Sequence, residues 1–490
     1  MLKQRELVLA TATVVALSAG LNYLFSAYAP QLASRLRLTS TQTNVVGAAG
    51  NLGVYLSSPI IGRIVDRKGP KPLLVFAAFA LTAGYLIIRA FYLGGHAHSS
   101  LFATFGVPGL VFAELLTGIG STAGLSSAGN TVAKSYKKRR AAALSVVLSG
   151  FGLSAFFYST LSTLLLNSGT THQDTTPNFL LLIAIGSFLS MTLGVILIRP
   201  VPPPASAPVV AAASVEVAPT ETTPLVNSAA VKPQEELNVS GWALFRELDF
   251  WLIFLFNGLC SGVGLCYINN LGTVLRSLAY SPATPTHLSH FDLSRTQSHL
   301  VSLLSIFNFL GRLTSGFGSD YLVHHKVEGK RVSRVWWCVA TSAVLVMSQV
   351  AAFRASEVGG WRGLVLPTVL TGFAHGSLFG ISGVIGLERF GMKNFSGTNG
   401  ILALAPALFG QTTNLIFGKI YDSRSHLLPL PSRPHSPSQI ELLSKPALEC
   451  LAGRECYAPA FKLTISMAVA AMVVAFVLAT ARKQMKRRAV

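Results

Sequence analysis

About twelve apolar stretches of 18 or more residues run along this chain, near 7–29, 43–65, 72–93, 107–133, 141–166, 178–199, 250–275, 298–320, 335–353, 363–386, 396–420 and 460–481. Each is long enough to cross a ~30 Å hydrocarbon layer as a helix. No water reaches a backbone N–H or C=O inside that layer, so every crossing segment must close its own hydrogen bonds. The expectation is an all-α membrane protein of twelve spans. Of the 490 residues 51% are hydrophobic and 12% charged, against ~25% charged in an ordinary soluble domain. Lys3 and Arg5 precede the first stretch as they would in a signal peptide, but its length of about 23 residues favours a retained helix.

A net charge of +20 raises the question of nucleic acid. The basic residues are distributed by loop parity, however, and form no single patch with interleaved aromatics. They are densest in "KSYKKRR" (134–140) and "RKQMKRR" (482–488), which places the N-terminus and the even-numbered span ends in the cytoplasm by the positive-inside bias. The partner is the lipid bilayer, and nucleic acid is excluded.

Between the sixth and seventh spans, residues 200–245 are rich in Pro, Ala, Val, Ser and Thr without a helical period, the composition of a disordered linker. The expected domains are a six-helix bundle over 1–199, this cytoplasmic linker, and a second six-helix bundle over 246–490. The halves share a device. Gly62-Arg63-Ile64-Val65-Asp66 closes the second span and Gly316-Phe317-Gly318-Ser319-Asp320 closes the eighth. Glycine lets two helices approach closely, and an acid at that point can face the positive N-terminus of a helix in the opposite half. Gly62, Asp66, Arg67, Gly316 and Asp320 are therefore candidate gating residues, with Glu388 a third acid for a charge clamp between the halves.

"GRIVDRKGPK" (62–71) resembles the signature of the major facilitator superfamily, which implies two six-helix bundles around a central cavity. A narrower resemblance, to the nodulin-like branch and the fungal monocarboxylate-transporter-homologue carriers, rests on "GLNYLFSAYAPQLASRL" (20–36), "GLCYINNLGTV" (264–274), "NFLGRLTSGFGSD" (308–320), "GLERFG" (386–391) and "GTNGILALAPALFGQTTNLIFGKIYD" (397–422). It implies membrane transport without fixing the cargo. Two departures narrow it. Glu114 stands four residues before Gly118 where many superfamily members carry Arg, and "LSGFGLSAFFYS" (148–159) lacks the Gly-Pro motif of drug-proton antiporters.

Ionisable groups inside spans are costly and mark function by default. Arg312 precedes Asp320 by eight residues, ~12 Å of helix rise, which puts it near the midplane. Its guanidinium either holds a carboxylate or phosphate bidentately or braces the bundle through internal contacts. Monocarboxylate carriers have an Asp one turn before this Arg; here that place is Asn308, so the titratable partner is missing. Protons, if coupled, would use Glu114 or His375. Asn22, Tyr23 and Tyr28 in the first span and Tyr267, Asn269 and Asn270 in the seventh are either solute ligands or helix-to-helix hydrogen bonds. "YINN" (267–270) is a potential helix break, and Pro406 bends the eleventh span.

Cys450 and Cys456, in the last non-cytoplasmic loop, sit where an oxidising environment would permit a bridge. No cofactor is called for: "GLCSGVG" (258–264) has no strand before it and is no nucleotide fingerprint, and no nucleophile with a base or metal-ligand spacing appears. "ETTPLV" (221–226) resembles the acidic Leu-based signals that sorting adaptor complexes read; Glu221 and Leu225 match, and Val226 replaces the second Leu. The alternative to that reading is chance in a Thr- and Pro-rich linker. The sequence thus points to a transporter of a small-molecule solute, an organic anion, working by alternating access in the vacuolar membrane, with the plasma membrane as second location. The competing reading is a membrane sensor or interaction protein of the same fold that does not transport.

Overall fold

The computed structural model describes residues 2–38, 40–97, 99–136, 139–166, 175–199, 239–279, 290–324, 326–327, 330–425, 450 and 452–488. Helices follow the apolar stretches: α1 (Leu2–Ala19), α2 (Phe25–Leu36), α3 (Ser40–Lys68), α4 (Lys71–Gly94), α5 (Leu101–Ser135), α6 (Arg140–Leu166) and α7 (Thr176–Leu197) in the first half. The second half holds α8 (Leu248–Ala279), α9 (His290–His324), α10 (Val335–Phe353), α11 (Val365–Phe390), α12 (Phe395–Leu402), α13 (Leu404–Ser425) and α14 (Ala458–Arg488). Two two-residue strands, β1 (Lys326–Val327) and β2 (Lys330–Arg331), pair antiparallel after α9.

Among the described residues eleven helical segments are long and apolar enough to cross a membrane. The α1–α2 pair completes twelve spans, an all-α membrane protein in two six-helix bundles. One buried cluster is built from residues of α1–α7, from Ala12 to Ile198. Two more are built after the central linker, from Leu244 to Leu478.

Three local expectations change and one holds. The first span is not continuous: Gly20–Leu24 form a 3₁₀ turn, and the Gly20 carbonyl accepts a hydrogen bond from Ser154 Oγ of α6 at 2.7 Å, which satisfies it from outside the helix ladder. The "YINN" segment does not break α8, because Asn270 Nδ2 donates to the Cys266 carbonyl one turn back at 2.8 Å and to Asn414 Oδ1 of α13 at 3.0 Å. The linker ends earlier than expected. Residues 239–245 are ordered: Val239 N–H bonds the Phe390 carbonyl at 2.9 Å, Gly241–Arg246 form a 3₁₀ turn, and Leu244 is buried. The remainder of the linker, with Glu221, Leu225 and Val226, lies outside the described residues. The eleventh span is notched at Ala403, between α12 and α13, as its proline predicts, but it stays helical there: Ala403 has φ −69° and ψ −13°, and its N–H bonds the Asn399 carbonyl at 2.9 Å. Pro406 accounts for it, since its ring lacks an N–H for the Leu402 carbonyl four residues earlier and clashes with it.

The halves meet where the repeated glycine motif predicts. α3 packs on α12, and α9 packs on α6. A Cβ at Gly62 would collide with the Ser396 carbonyl at the head of α12, and one at Gly316 would collide with the Ser145 side chain of α6. Both glycines are therefore demanded by close approach between bundles. Gly316→Val is expected to destabilise this closed arrangement by about 1–3 kcal/mol, the usual cost of overpacking, read as a lowered unfolding temperature in detergent; an unchanged temperature would show that α6 and α9 are not in contact there.

Candidate functional site

A cavity of about 170 Å³ lies between the bundles, walled by α3, α5 and α6 on one side and α8, α9, α11, α12 and α13 on the other. At one end of it, two carboxylates bond helix-end amides across the two bundles. Asp66 Oδ1 accepts from Ser396 N–H at 3.2 Å and Asp66 Oδ2 from Gly397 N–H at 2.7 Å, both amides at the N-terminus of α12. Asn130, which lines the cavity, donates to Asp66 Oδ1 at 2.7 Å and to Ser396 Oγ at 2.6 Å. In the other half Asp320 Oδ2 accepts from Ala142 N–H at the N-terminus of α6 at 2.9 Å. Each carboxylate thus sits on the positive end of a helix from the opposite bundle. Asp320 is further held by Arg334 at 2.7 Å, and the same guanidinium bonds Glu388 at 2.5 Å and Ser319 Oγ at 3.0 Å. Glu388 therefore braces its own bundle and is not part of a clamp between halves, because Arg334 at the head of α10 reaches it first. Arg67 is exposed.

Arg312 projects from α9 into this interface and is buried. Its Nε donates to Asn308 Oδ1 at 2.9 Å and one terminal nitrogen donates to the Leu148 carbonyl of α6 at 2.7 Å. The guanidinium lies 5.4 Å from the Phe151 ring centroid of one half and 5.7 Å from that of Phe379 of the other. Such cation–π contacts are favourable by roughly 0.5–2 kcal/mol. Asn308 orients the arginine, and Arg312 itself lines the cavity.

Of the remaining sequence candidates, Asn22 lines the cavity; its Oδ1 accepts from Ser121 Oγ at 3.3 Å. Tyr28 does not line it: its hydroxyl donates to Glu114 Oε1 at 2.5 Å inside the first bundle. Tyr267 is bonded to Thr368 Oγ1 at 2.8 Å and Asn270 to Asn414, so both join helices of the second bundle. Asn269 is exposed and is not in the cavity lining. Tyr23 belongs to the 3₁₀ turn, and its side chain lies outside the described residues. Glu114 is buried, with Thr117 Oγ1 at 3.3 Å as a second donor. His375 is buried behind the cavity, edge-on to Phe379 at 4.9 Å between centroids, and both ring nitrogens are without hydrogen bonds. Sequence reasoning missed Asn51, Tyr55, Asn257, Ser261 and Asn399, which all line the cavity. The i, i+4 pair Asn257/Ser261 inside the apolar run of α8 was the available signal. On the far side Cys450 and Cys456 are disulfide-bonded, with Cα atoms 5.8 Å apart.

The Major Facilitator Superfamily model matches residues 11–403. Among curated proteins the chain is 24% identical to "Probable transporter MCH1" of Gibberella zeae, over 93% of this chain and 86% of that protein. It is 25% identical to the protein of the same name from Wickerhamomyces anomalus, over 86% and 80%. Among solved structures it superposes on a bacterial homologue of the iron transporter ferroportin in an outward-facing state, with a TM-score of 0.57 and 13% identity over 97% of this chain and 99% of that one. The major facilitator transporter FucP in the outward conformation gives a TM-score of 0.55 at 12% identity, over 94% and 98%. These likenesses below 25% identity establish the fold.

The Asp66 contact generates a test. Asp66→Asn keeps the shape but removes the charge that meets the α12 amides, so a cysteine placed at Ser126 on the cavity wall should be alkylated severalfold faster from the cytoplasmic side. An unchanged rate would remove Asp66 from the closure.

Proposed function

Because the chain belongs to the Major Facilitator Superfamily and is a multi-pass membrane transporter, we propose the finer reading that it carries a small organic anion by alternating access, with Arg312 as the anion ligand. The observation that carries this reading is the position of Arg312: a buried permanent cation on the cavity wall, contacting Leu148 and Phe151 of one bundle and Asn308 and Phe379 of the other. A solute carboxylate bound there touches a group whose contacts must change when the bundles rock, which couples occupancy to conformation. Gating is assigned to Asp66 with Gly62 and to Asp320 with Gly316, whose carboxylate contacts hold the cytoplasmic side shut and must part for release to that side. The bridge between Cys450 and Cys456 is assigned to the non-cytoplasmic loop.

Of the two coupling candidates, Glu114 is favoured. It lies among Tyr28 of α2, Thr117 of its own helix and Tyr85 of α4, and no Lys, Arg or His among the described residues forms an ion pair with it. A buried carboxyl without an ion-pair partner inside a span is costly to keep and marks function by default. It also reaches the cavity through Asn22, because both side chains converge at 3.3 Å on the space beside Gly50. For location, the "ETTPLV" segment supports the vacuolar membrane. A double Glu221→Ala, Leu225→Ala variant should leave that membrane while remaining folded; unchanged routing would remove the signal.

Arg312→Gln should abolish uptake of an anionic solute into liposomes, and Arg312→Lys should weaken binding by about 1–3 kcal/mol, the scale of a charged hydrogen bond lost with the planar fork. Wild-type anion uptake by Arg312→Gln would reduce Arg312 to a brace. Glu114→Gln should lose uptake driven by an inward proton gradient while keeping exchange of solute against solute; retained gradient-driven uptake would free Glu114 of the coupling role.

A further inference from the structure

The cavity carries more polar capacity than an anion ligand requires. Elsewhere in the spans many hydroxyls are spent on their own helix or on a neighbouring one: Ser127, Thr131 and Ser135 of α5 each return a bond to the carbonyl four residues back, Ser154 of α6 bonds the Gly20 carbonyl, and Asn270 bonds its own helix while tying α8 to α13. Asn257 and Ser261 behave differently. They stand one turn apart on α8, both are buried, both line the cavity, and Asn257 Oδ1 and Ser261 Oγ have no hydrogen-bond partner. From the opposite bundle Asn22 brings an amide nitrogen that is likewise buried and unpartnered. Asn51 of α3 and Asn399 of α12 add two more amides, one on each wall.

A buried polar atom left without a partner costs about 1–3 kcal/mol, so the four such atoms on this cavity, counting Asn130 Oδ1, are retained against a steady penalty unless something fills them. An asparagine amide offers one acceptor and two donor hydrogens, and a serine hydroxyl offers both roles. The groups that answer such a surface from either side are hydroxyls. Carboxylates only accept, and ammonium groups only donate. Among the described residues, Arg312 is the charged side chain of the lining, which matches a single negative charge. The volume of about 170 Å³ is below the ~300 Å³ at which drug-sized pockets begin, so the occupant is small.

Resting on the reading of Arg312 as an anion ligand, we infer that the solute is a polyhydroxylated monocarboxylate, a small sugar acid: its carboxylate lies on Arg312 and its hydroxyls lie against Asn257 and Ser261 on one wall and Asn22 on the other. An unsubstituted short-chain acid would satisfy the arginine and leave the amide wall unanswered. The assignment thus makes hydroxyl content, beyond charge, the determinant of specificity.

The test uses the purified full-length protein in nanodiscs and two size-matched pairs, gluconate with hexanoate and glycerate with propionate, plus the neutral polyol glucitol. At least one hydroxylated acid should bind about tenfold more tightly than its bare counterpart. Asn257→Leu combined with Ser261→Ala should erase that margin and leave the bare acid unaffected. Ser261→Ala alone should reduce the margin severalfold, which covers the case where the double variant does not fold. Equal affinity within both pairs would overturn the sugar-acid assignment, leave the anion reading intact and make the amide wall simply hydrated. An equal loss of both acids of a pair in Ser261→Ala would also overturn it, making the α8 pair structural. Glucitol binding as tightly as gluconate, or Arg312→Gln leaving both acids unaffected, would overturn the anion reading instead. Binding of none of the five probes would overturn both.

Discussion

Two carboxylates on two helix ends hold this molecule in the form described. Asp66 reaches the amides of Ser396 and Gly397, and Asp320 reaches that of Ala142; in each case acid and amides belong to different bundles. A helix N-terminus presents unsatisfied N–H groups and about half a positive charge, so the acid supplies what that helix lacks. Neither contact forms unless the backbones come within reach, and Gly62 and Gly316 allow this by having no side chain to strike Ser396 or Ser145. The repeated motif is therefore a single physical device used twice, and the floor of the cavity is its product.

Polar side chains elsewhere sort by what they join. Tyr267 with Thr368 and Asn270 with Asn414 tie helices within the second bundle, while Ser18 with Tyr158 and Tyr28 with Glu114 do so in the first. Such bonds are worth about 0.6–2 kcal/mol each in lipid, and they keep each bundle rigid. Arg312 belongs to neither set, because its contacts are divided between the bundles. Rigid halves with one divided arginine concentrate change at the interface.

Much of the architecture was legible in the sequence, because the constraint was strong: span length and the repeated G-x-x-x-D each admit few solutions. Arg312 was legible for the same reason, since a cation at mid-span is rare. The tyrosines and asparagines were not. An Asn or Tyr in an apolar helix has the same sequence signature whether it meets solute or a neighbouring helix, and the choice depends on rotation about the helix axis. Tyr28 and Tyr267 turn inward to Glu114 and Thr368, while Asn257 and Ser261, in the apolar run of α8, turn to the cavity. The continuity of α8 through Asn269 and Asn270 was equally hidden, because Asn414, which takes the amide, is far along the chain.

The notch at Ala403 falls between two parts of the eleventh span with different attachments. α13 is fastened to α8 through Asn414, whereas the eight residues of α12 are fastened by their amides to Asp66 of the other bundle. Asn399, Ala403 and Pro406, on both sides of that joint, also form cavity wall. The span is thus held from both sides: α12 takes its hold from Asp66 of α3 and α13 from Asn270 of α8, with the cavity wall around Ala403 between the two attachments. Closure contact and cavity surface therefore share one span, and a substitution in it acts on both.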